Sequence, residues 1–269
     1  MSIATIDNQQ VHYESIGQGE SIIFLHGWIG SWRYWWPTMR AFSKRGRLYA
    51  FDFWGFGDSS KEPDKYFFGT YVEQLSHLIE HLGISYPVTL VGHALGAAVA
   101  LRYAYLWPSR VRRLTLISPP IDGTVINQDL AEMETMEFTE RYLFKFLSVK
   151  ELQYEVQKSD PFAVSSLANQ LLGYDFKTDI DKFDGSILVI NGDRDQVIDQ
   201  PLEETSSALR KNRNHHHVTL AACDHFPMLE QPSRFNRLLL DFLRLDHIRK
   251  AKPQSFKHRV SQKLPPSSR

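Results

Sequence analysis

The chain has 269 residues, 42% hydrophobic and 23% charged, with 31 basic side chains against 31 acidic ones. That length and apolar content supply a full core and exclude global disorder. A net charge of zero excludes a global field that would gather nucleic acid or an anionic membrane. No run approaches the roughly 18 uninterrupted apolar residues of a membrane span, and the start, Met1 to Gln10, lacks the charged-then-apolar order of a secretory signal. The single cysteine, Cys223, excludes an internal disulfide and fits a reducing compartment. The expectation is one globular, cytoplasmic protein without a transmembrane segment.

Two β-rich runs, around Ile3 to Ile6 and Val11 to Ser15, predict an antiparallel hairpin entering a sheet at its edge. The apolar runs Ser21 to Leu25, Leu48 to Phe53, Val88 to Val91, Leu114 to Ile117, Ile187 to Ile190 and Val218 to Leu220 predict buried strands, for about eight strands in all. Between them Val72, Leu75, Ile79 and Leu82 repeat at helical spacing, as do Phe235, Leu238, Leu239 and Phe242 near the end. Strands alternating with amphipathic helices predict an α/β fold: a mostly parallel sheet with helices on both faces.

The stretch 121–183 breaks the alternation. It carries Met133, Met136, Tyr142, Phe146, Phe162 and Leu171 in helical patterns and no strand, so it predicts a helical cap inserted into a core of residues 1–120 and 184–248. From Arg249 to Arg269 there are seven Lys or Arg residues, no acid, and Pro265-Pro266. Residues 249–269 therefore predict a disordered basic tail, a solvated terminus whose partner, if any, is an anionic surface held weakly.

The stretch Val88-Thr89-Leu90-Val91-Gly92-His93-Ala94-Leu95-Gly96 runs from a buried strand straight into an Ala-rich helix. It resembles the G-x-S-x-G nucleophile elbow of the α/β-hydrolase fold, with Ala94 at the serine position. The two glycines keep their task of letting strand and helix approach closely around a strained middle residue. Three further pieces resemble the same family in the same order. His26-Gly27-Trp28 follows the strand Ser21 to Leu25 and is similar to the family's HG loop; the resemblance implies an oxyanion hole made by the backbone N–H groups of Trp28 and Leu95. Asn191-Gly192-Asp193-Arg194-Asp195 follows the strand Ile187 to Ile190 and resembles the acid loop. There the family spacing of Gly, two residues, then Asp selects Asp195, leaves Asp193 as a turn carboxylate, and exchanges the two if the spacing is displaced. Asp224-His225-Phe226-Pro227 precedes the last amphipathic helix and resembles the catalytic histidine loop. His225 and Asp195 would then form the base and its orienting carboxylate.

The run Asp52-Phe53-Trp54-Gly55-Phe56-Gly57-Asp58-Ser59 resembles a structural turn of the family. It is no dinucleotide fingerprint, because Ser60 stands where a third glycine belongs. His215-His216-His217 cannot chelate together on a strand, where neighbours point to opposite faces; they read as a polar strand entrance. Cys223 reads as a small buried residue, and Trp32, Tyr34, Trp35 and Trp36 as helix packing with a possible share in an apolar pocket. No cofactor or metal is expected.

An alanine methyl cannot form an acyl-enzyme. Three readings stay open. One is a pseudoenzyme descended from a serine ester hydrolase, binding a small, apolar, ester-like molecule or presenting a surface to a protein. Another is a carboxylic-ester hydrolase in which serine was deliberately replaced by Ala94. The last is a serine-independent His–Asp enzyme of the lyase or cofactor-free oxygenase type. Haloalkane dehalogenase and epoxide hydrolase chemistry is disfavoured, because it needs an aspartate at position 94.

Overall fold

The computed structural model describes residues 2–143, 150–201, 205–207, 209 and 212–244; Phe146 and the basic tail lie outside them. The strands are β1 (Ser2–Ile6), β2 (Gln9–Gly17), β3 (Ser21–Leu25), β4 (Arg47–Phe51), β5 (Val88–His93), β6 (Val111–Ile117), β7 (Ser186–Gly192) and β8 (His215–Leu220). They form one sheet in the order β1-β2-β4-β3-β5-β6-β7-β8. β1 pairs with β2, and β2 with β4, antiparallel; every other pairing is parallel. The expected hairpin and all six expected strands are present, but the one expected as buried over Val218 to Leu220 is an edge strand in which Thr219 is exposed and only Leu220 is buried. The expected strand over Leu48 to Phe53 stops at Phe51: Asp52 N–H still bonds His12 O of β2, and Phe53 N–H leaves the ladder for His26 Nε2.

Burial follows sheet position. Every residue of central β5 is buried, whereas the His-rich edge strand β8 is buried only at His215 and Leu220 and is partly or fully exposed between them. On the sheet pack α1 (Trp36–Phe42), α2 (Phe68–His81) and α3 (Leu95–Leu106). In α2 the stripe Val72, Leu75, Leu78 and Ile79 is buried, and in α3 the small Ala97, Ala98, Ala100 and Ala104 let the helix sit close to the strands.

Between β6 and β7 run α4 (Asp129–Glu132), α5 (Thr135–Tyr142), α6 (Lys150–Lys158), α7 (Pro161–Leu172) and α8 (Lys177–Lys182); among the described residues this stretch makes isolated bridges rather than a strand, Asp122 with Asp175 inside it and Ile126 with Ile198 beyond β7. Short α9 (Pro227–Glu230) and α10 (Pro232–Leu243) close the described fold. The α10 stripe Phe235, Leu238, Leu239 and Phe242 is buried as expected, and Phe235 meets Trp35 of the 3-10 turn Trp32–Trp35 across a 6.4 Å ring separation. Ion pairs tie the inserted helices down: Lys158 to Asp58 at 2.6 Å, Arg33 to buried Glu155 at 2.8 Å, and Arg102 to Asp179 at 3.0 Å. Among the described residues no helix is long and apolar enough to cross a membrane.

Candidate active site

β5 ends at His93 and α3 starts at Leu95, so Ala94 makes the whole turn between them, at φ 49° and ψ −110°. That conformation lies outside the regions side-chain-bearing residues favour and costs on the order of 1–3 kcal/mol. The surroundings enforce it. Ala94 N–H donates to Ile117 O of β6 at 2.9 Å. A Cβ on Gly92 would stand 2.3 Å from Gly96 O, and one on Gly96 would stand 2.5 Å from Leu25 O, so only hydrogen fits on either side of the turn. Ala97 and Ala98 N–H already bond Ala94 O, so the amides of Leu95 and Gly96 are the ones that start α3 without an intrahelical acceptor, at the positive end of the helix dipole.

The HG loop is fastened beside this turn. His26 Nε2 accepts from Phe53 N–H at 2.9 Å, so its proton sits on Nδ1 and is donated to Gly27 O at 2.8 Å. Burial holds the His26 pKa below the usual histidine range. Gly27 must be a glycine: a Cβ there would lie 2.9 Å from His93 Nδ1 and 3.2 Å from the Ala94 methyl. Trp28, next in the chain, is buried.

From the far side of the sheet's C-terminal edge come the carboxylate and the imidazole. Asp195 Oδ2 and Oδ1 stand 2.9 and 3.0 Å from His225 Nδ1. Oδ1 also accepts the N–H groups of Val197 and Ile198 at 2.9 and 3.0 Å. Burial works against the charge on Asp195, but the neighbouring His225 and these hydrogen bonds outweigh it and hold the carboxyl below the usual range. Asp193 lies outside this arrangement: it is exposed and accepts Cys223 N–H at 3.2 Å. With Nδ1 spent on Asp195, Nε2 is the open nitrogen of His225 and has no hydrogen-bond partner among the described residues. His225 lines an internal cavity of about 10 Å³ together with Gly27, Trp28, His93 and the apolar Leu130, Phe138 and Leu143. That is room for about one water molecule.

The other sequence candidates separate from this cavity. His215, His216 and His217 have different surroundings: His215 faces Phe183 O, His216 meets the Phe242 ring, and His217 meets Asn191 Oδ1. Cys223 is buried, and burial with four nearby carboxylates pushes its thiol up to about 12, which makes it inert as a nucleophile. Trp35 packs on Phe24 and Phe235; Tyr34 and Trp35 are core, Trp32 is half-buried and Trp36 exposed, and none of the four lines the cavity. His12, Asp52 and Asp58 bring ligand-type atoms within 4.8 Å of one another, yet the group is already neutralised and bonded. Asp52 accepts His12 Nδ1, Trp32 N–H and Asp58 N–H at 3.0, 2.8 and 3.0 Å, and Asp58 holds Lys158 and Arg33. It is a structural hub. Sequence marked Tyr34 only as helix packing and gave His93 and Glu230 no role of their own; the signal available was that His93 and Glu230 sit inside the two motifs whose backbones must be held.

The family model described as "Alpha/beta hydrolase family" matches residues 22–238. The chain belongs to the alpha/beta hydrolase family. Among relatives of this family, the non-heme chloroperoxidase of Kitasatospora aureofaciens is 29% identical over 279 aligned positions, covering 89% of this chain and 98% of that protein. A soluble epoxide hydrolase of a Corynebacterium species is 32% identical over 114 residues, only 42% of this chain and 40% of the relative. Among solved structures, the bromoperoxidase of Bacillus anthracis superposes with a TM-score of 0.76 at 24% identity, covering 90% of this chain and 99% of that one. A thermophilic esterase of Thermogutta terrifontis gives a TM-score of 0.75 at 21% identity, covering 88% and 93%. At these identities the structural likenesses show the α/β-hydrolase fold with its eight-stranded sheet.

Proposed function

We propose that this protein is an alpha/beta hydrolase that binds a small apolar ligand and forms no acyl-enzyme, with Ala94 at the nucleophile position, Asp195 and His225 as the dyad, and Trp28 and Leu95 as the oxyanion donors. The observation that carries the proposal is Ala94 itself, a methyl held in the strained turn between β5 and α3. A methyl has no proton to lose and no lone pair to attack with. The donors of the oxyanion hole are backbone groups and do not depend on that side chain.

The cavity wall supports an apolar, ester-like ligand: Ile29, Leu130, Phe138, Leu143, Val197 and Phe226 surround His225. Because the cavity has room for about one water, a ligand enters only when Leu130, Phe138 and Leu143 give way, which is the behaviour of a cap made by residues 121–183. A reducing cytoplasm suits the lone cysteine, and we place the protein there.

The test is labelling with a serine-directed fluorophosphonate and hydrolysis of short-chain p-nitrophenyl esters, for the parent and for Ala94→Ser. Loss of the serine alone costs a serine protease about a millionfold in kcat, so the serine variant is expected to label and to gain several orders of magnitude, and the parent to do neither. An acyl adduct on the parent at the cavity, detected by mass spectrometry, overturns the proposal. Failure of Ala94→Ser to label, with no cleavage of a short-chain ester, removes the support for descent from a serine ester hydrolase.

A second reading is favoured by one observation, the intact Asp195–His225 pair with Nε2 left open. In it His225 abstracts a proton from the ligand without any covalent step. A turnover of the parent that survives His225→Ala unchanged dismisses this reading.

A further inference from the structure

A buried chain of hydrogen bonds runs from the HG loop through the elbow to the histidine loop, and only one placement of its protons is consistent. Gly27 N–H donates to Tyr34 Oη at 2.6 Å, Tyr34 Oη lies 3.0 Å from His93 Nδ1, and His93 Nε2 lies 2.9 Å from the main-chain oxygen of His225. A carbonyl only accepts, so the His93 proton is on Nε2; Nδ1 is then an acceptor and takes the Tyr34 hydroxyl proton. Both side chains keep these states. Burial raises the Tyr34 pKa well above the usual phenol value, and burial with the neighbouring His225 lowers the His93 pKa well below the usual histidine value.

The histidine loop shows why this chain matters. Glu230 accepts the N–H groups on either side of His225, from Asp224 at 2.8 Å and from Phe226 at 3.0 Å. Those two bonds are local, six and four positions apart. They shape the loop but tie it to nothing beyond its own helix. The bond from His93 to His225 O spans 132 positions and connects the loop to the elbow directly. The two imidazoles lie 4.5 Å apart between ring centres.

We infer that His93 is a positioning residue. Its Nε2–H tethers the peptide of His225 to the elbow, and its Nδ1 anchors that tether through Tyr34 to the HG loop. Asp195 sets the rotation of the His225 ring, and His93 sets where the ring's backbone stands. The inference takes from the proposed function only that His225 is the working imidazole, and it holds whether the site turns over a ligand or binds one.

Glutamine at position 93 can place an amide N–H where Nε2 stands, and asparagine can place an oxygen where Nδ1 stands. The two substitutions therefore separate the tether from its anchor. The readout is the downfield proton on His225 Nδ1 in nitrogen-15 histidine-labelled full-length protein, assigned by its absence in His225→Gln. His93→Gln keeps the tether and loses its Nδ1 anchor, so it is expected to retain the downfield proton with partial broadening. His93→Asn loses the tether and is expected to broaden the downfield proton beyond detection. A His93→Asn protein with the parent's signal overturns the inference, as does equal loss in both variants, because a space-filling role has no reason to distinguish donor position. If both variants fail to fold by circular dichroism, Tyr34→Phe tests the same chain by removing one oxygen; a signal identical to the parent's then overturns it. None of these readouts uses ester turnover or ligand binding, so a failed proposed function and a failed tether are told apart.

Discussion

Gly96→Ala and Gly69→Ala are the same substitution in two helices, and the structure assigns them opposite signs. Helix propensity favours alanine over glycine by up to about 1 kcal/mol, so local reasoning predicts that both stabilise. At Gly69, in the first turn of α2, a Cβ meets nothing within 4 Å, and a gain of about 0.5 kcal/mol is expected. At Gly96 the Cβ would stand 2.5 Å from Leu25 O and 2.6 Å from His26 O, against about 3.5 Å for an ordinary contact. Both obstructing atoms are backbone of the β3 end and the HG loop, so no rotamer change relieves the clash. The first turn of α3 must move outward by about 1 Å, at an overpacking cost of about 3 kcal/mol. Subtracting the propensity gain leaves a net loss of about 2 kcal/mol, or roughly 4 °C in Tm for a chain of this size. Thermal denaturation followed by circular dichroism, with both variants beside the parent, checks this. A Gly96→Ala protein that melts at or above the parent refutes the close-approach argument on which the elbow geometry rests.

Asp52→Ala removes a fully buried carboxylate that bonds His12 Nδ1 and two backbone amides. Breaking a buried pair and stranding its partners costs about 3–5 kcal/mol, so urea denaturation should show a loss in that range; a loss below about 1 kcal/mol contradicts the hub. His12 has its pKa raised, since the Asp52 hydrogen bond and charge, with Asp58 and Glu14, outweigh burial. Its contribution is therefore complete below the ordinary value of 6.5 and fades as pH rises through the raised one. The same linkage with the opposite sign applies to Asp195. A depressed carboxyl contributes stability above its ordinary value of 3.8 that is lost as pH falls through the folded-state value. Asp195→Asn should therefore lack a component of acid sensitivity, at most about 1.4 kcal/mol per pH unit, below that pH. Equal acid slopes for parent and variant in urea titrations defeat the assignment.

Fold class was legible because its signals are local and periodic. Apolar runs such as Ser21–Leu25 and the α2 stripe from Val72 to Ile79 report which face each element must bury, and alternation of the two periods implies the layered sheet. The position of Ala94 was legible through resemblance instead: Gly92-His93-Ala94-Leu95-Gly96 is similar to the family's elbow, a motif only five residues long. Pairings across long separations were not. Asp195 and Asp193 are chemically identical and two positions apart, and sequence preferred one of them only through the spacing of a resembling family. The tertiary structure puts 2.9 Å between Asp195 and His225 and leaves Asp193 at the surface. In the same way Tyr34, His93 and His225 have no mark in sequence as a unit. They meet because parallel strands deliver their C-terminal ends to one edge of the sheet, where residues 59 and 132 positions apart come within hydrogen-bonding distance. Periodicity is a property of neighbours along the chain and so can be read there. Hydrogen-bond partnership across the sheet edge depends on strand order, which only the folded chain determines.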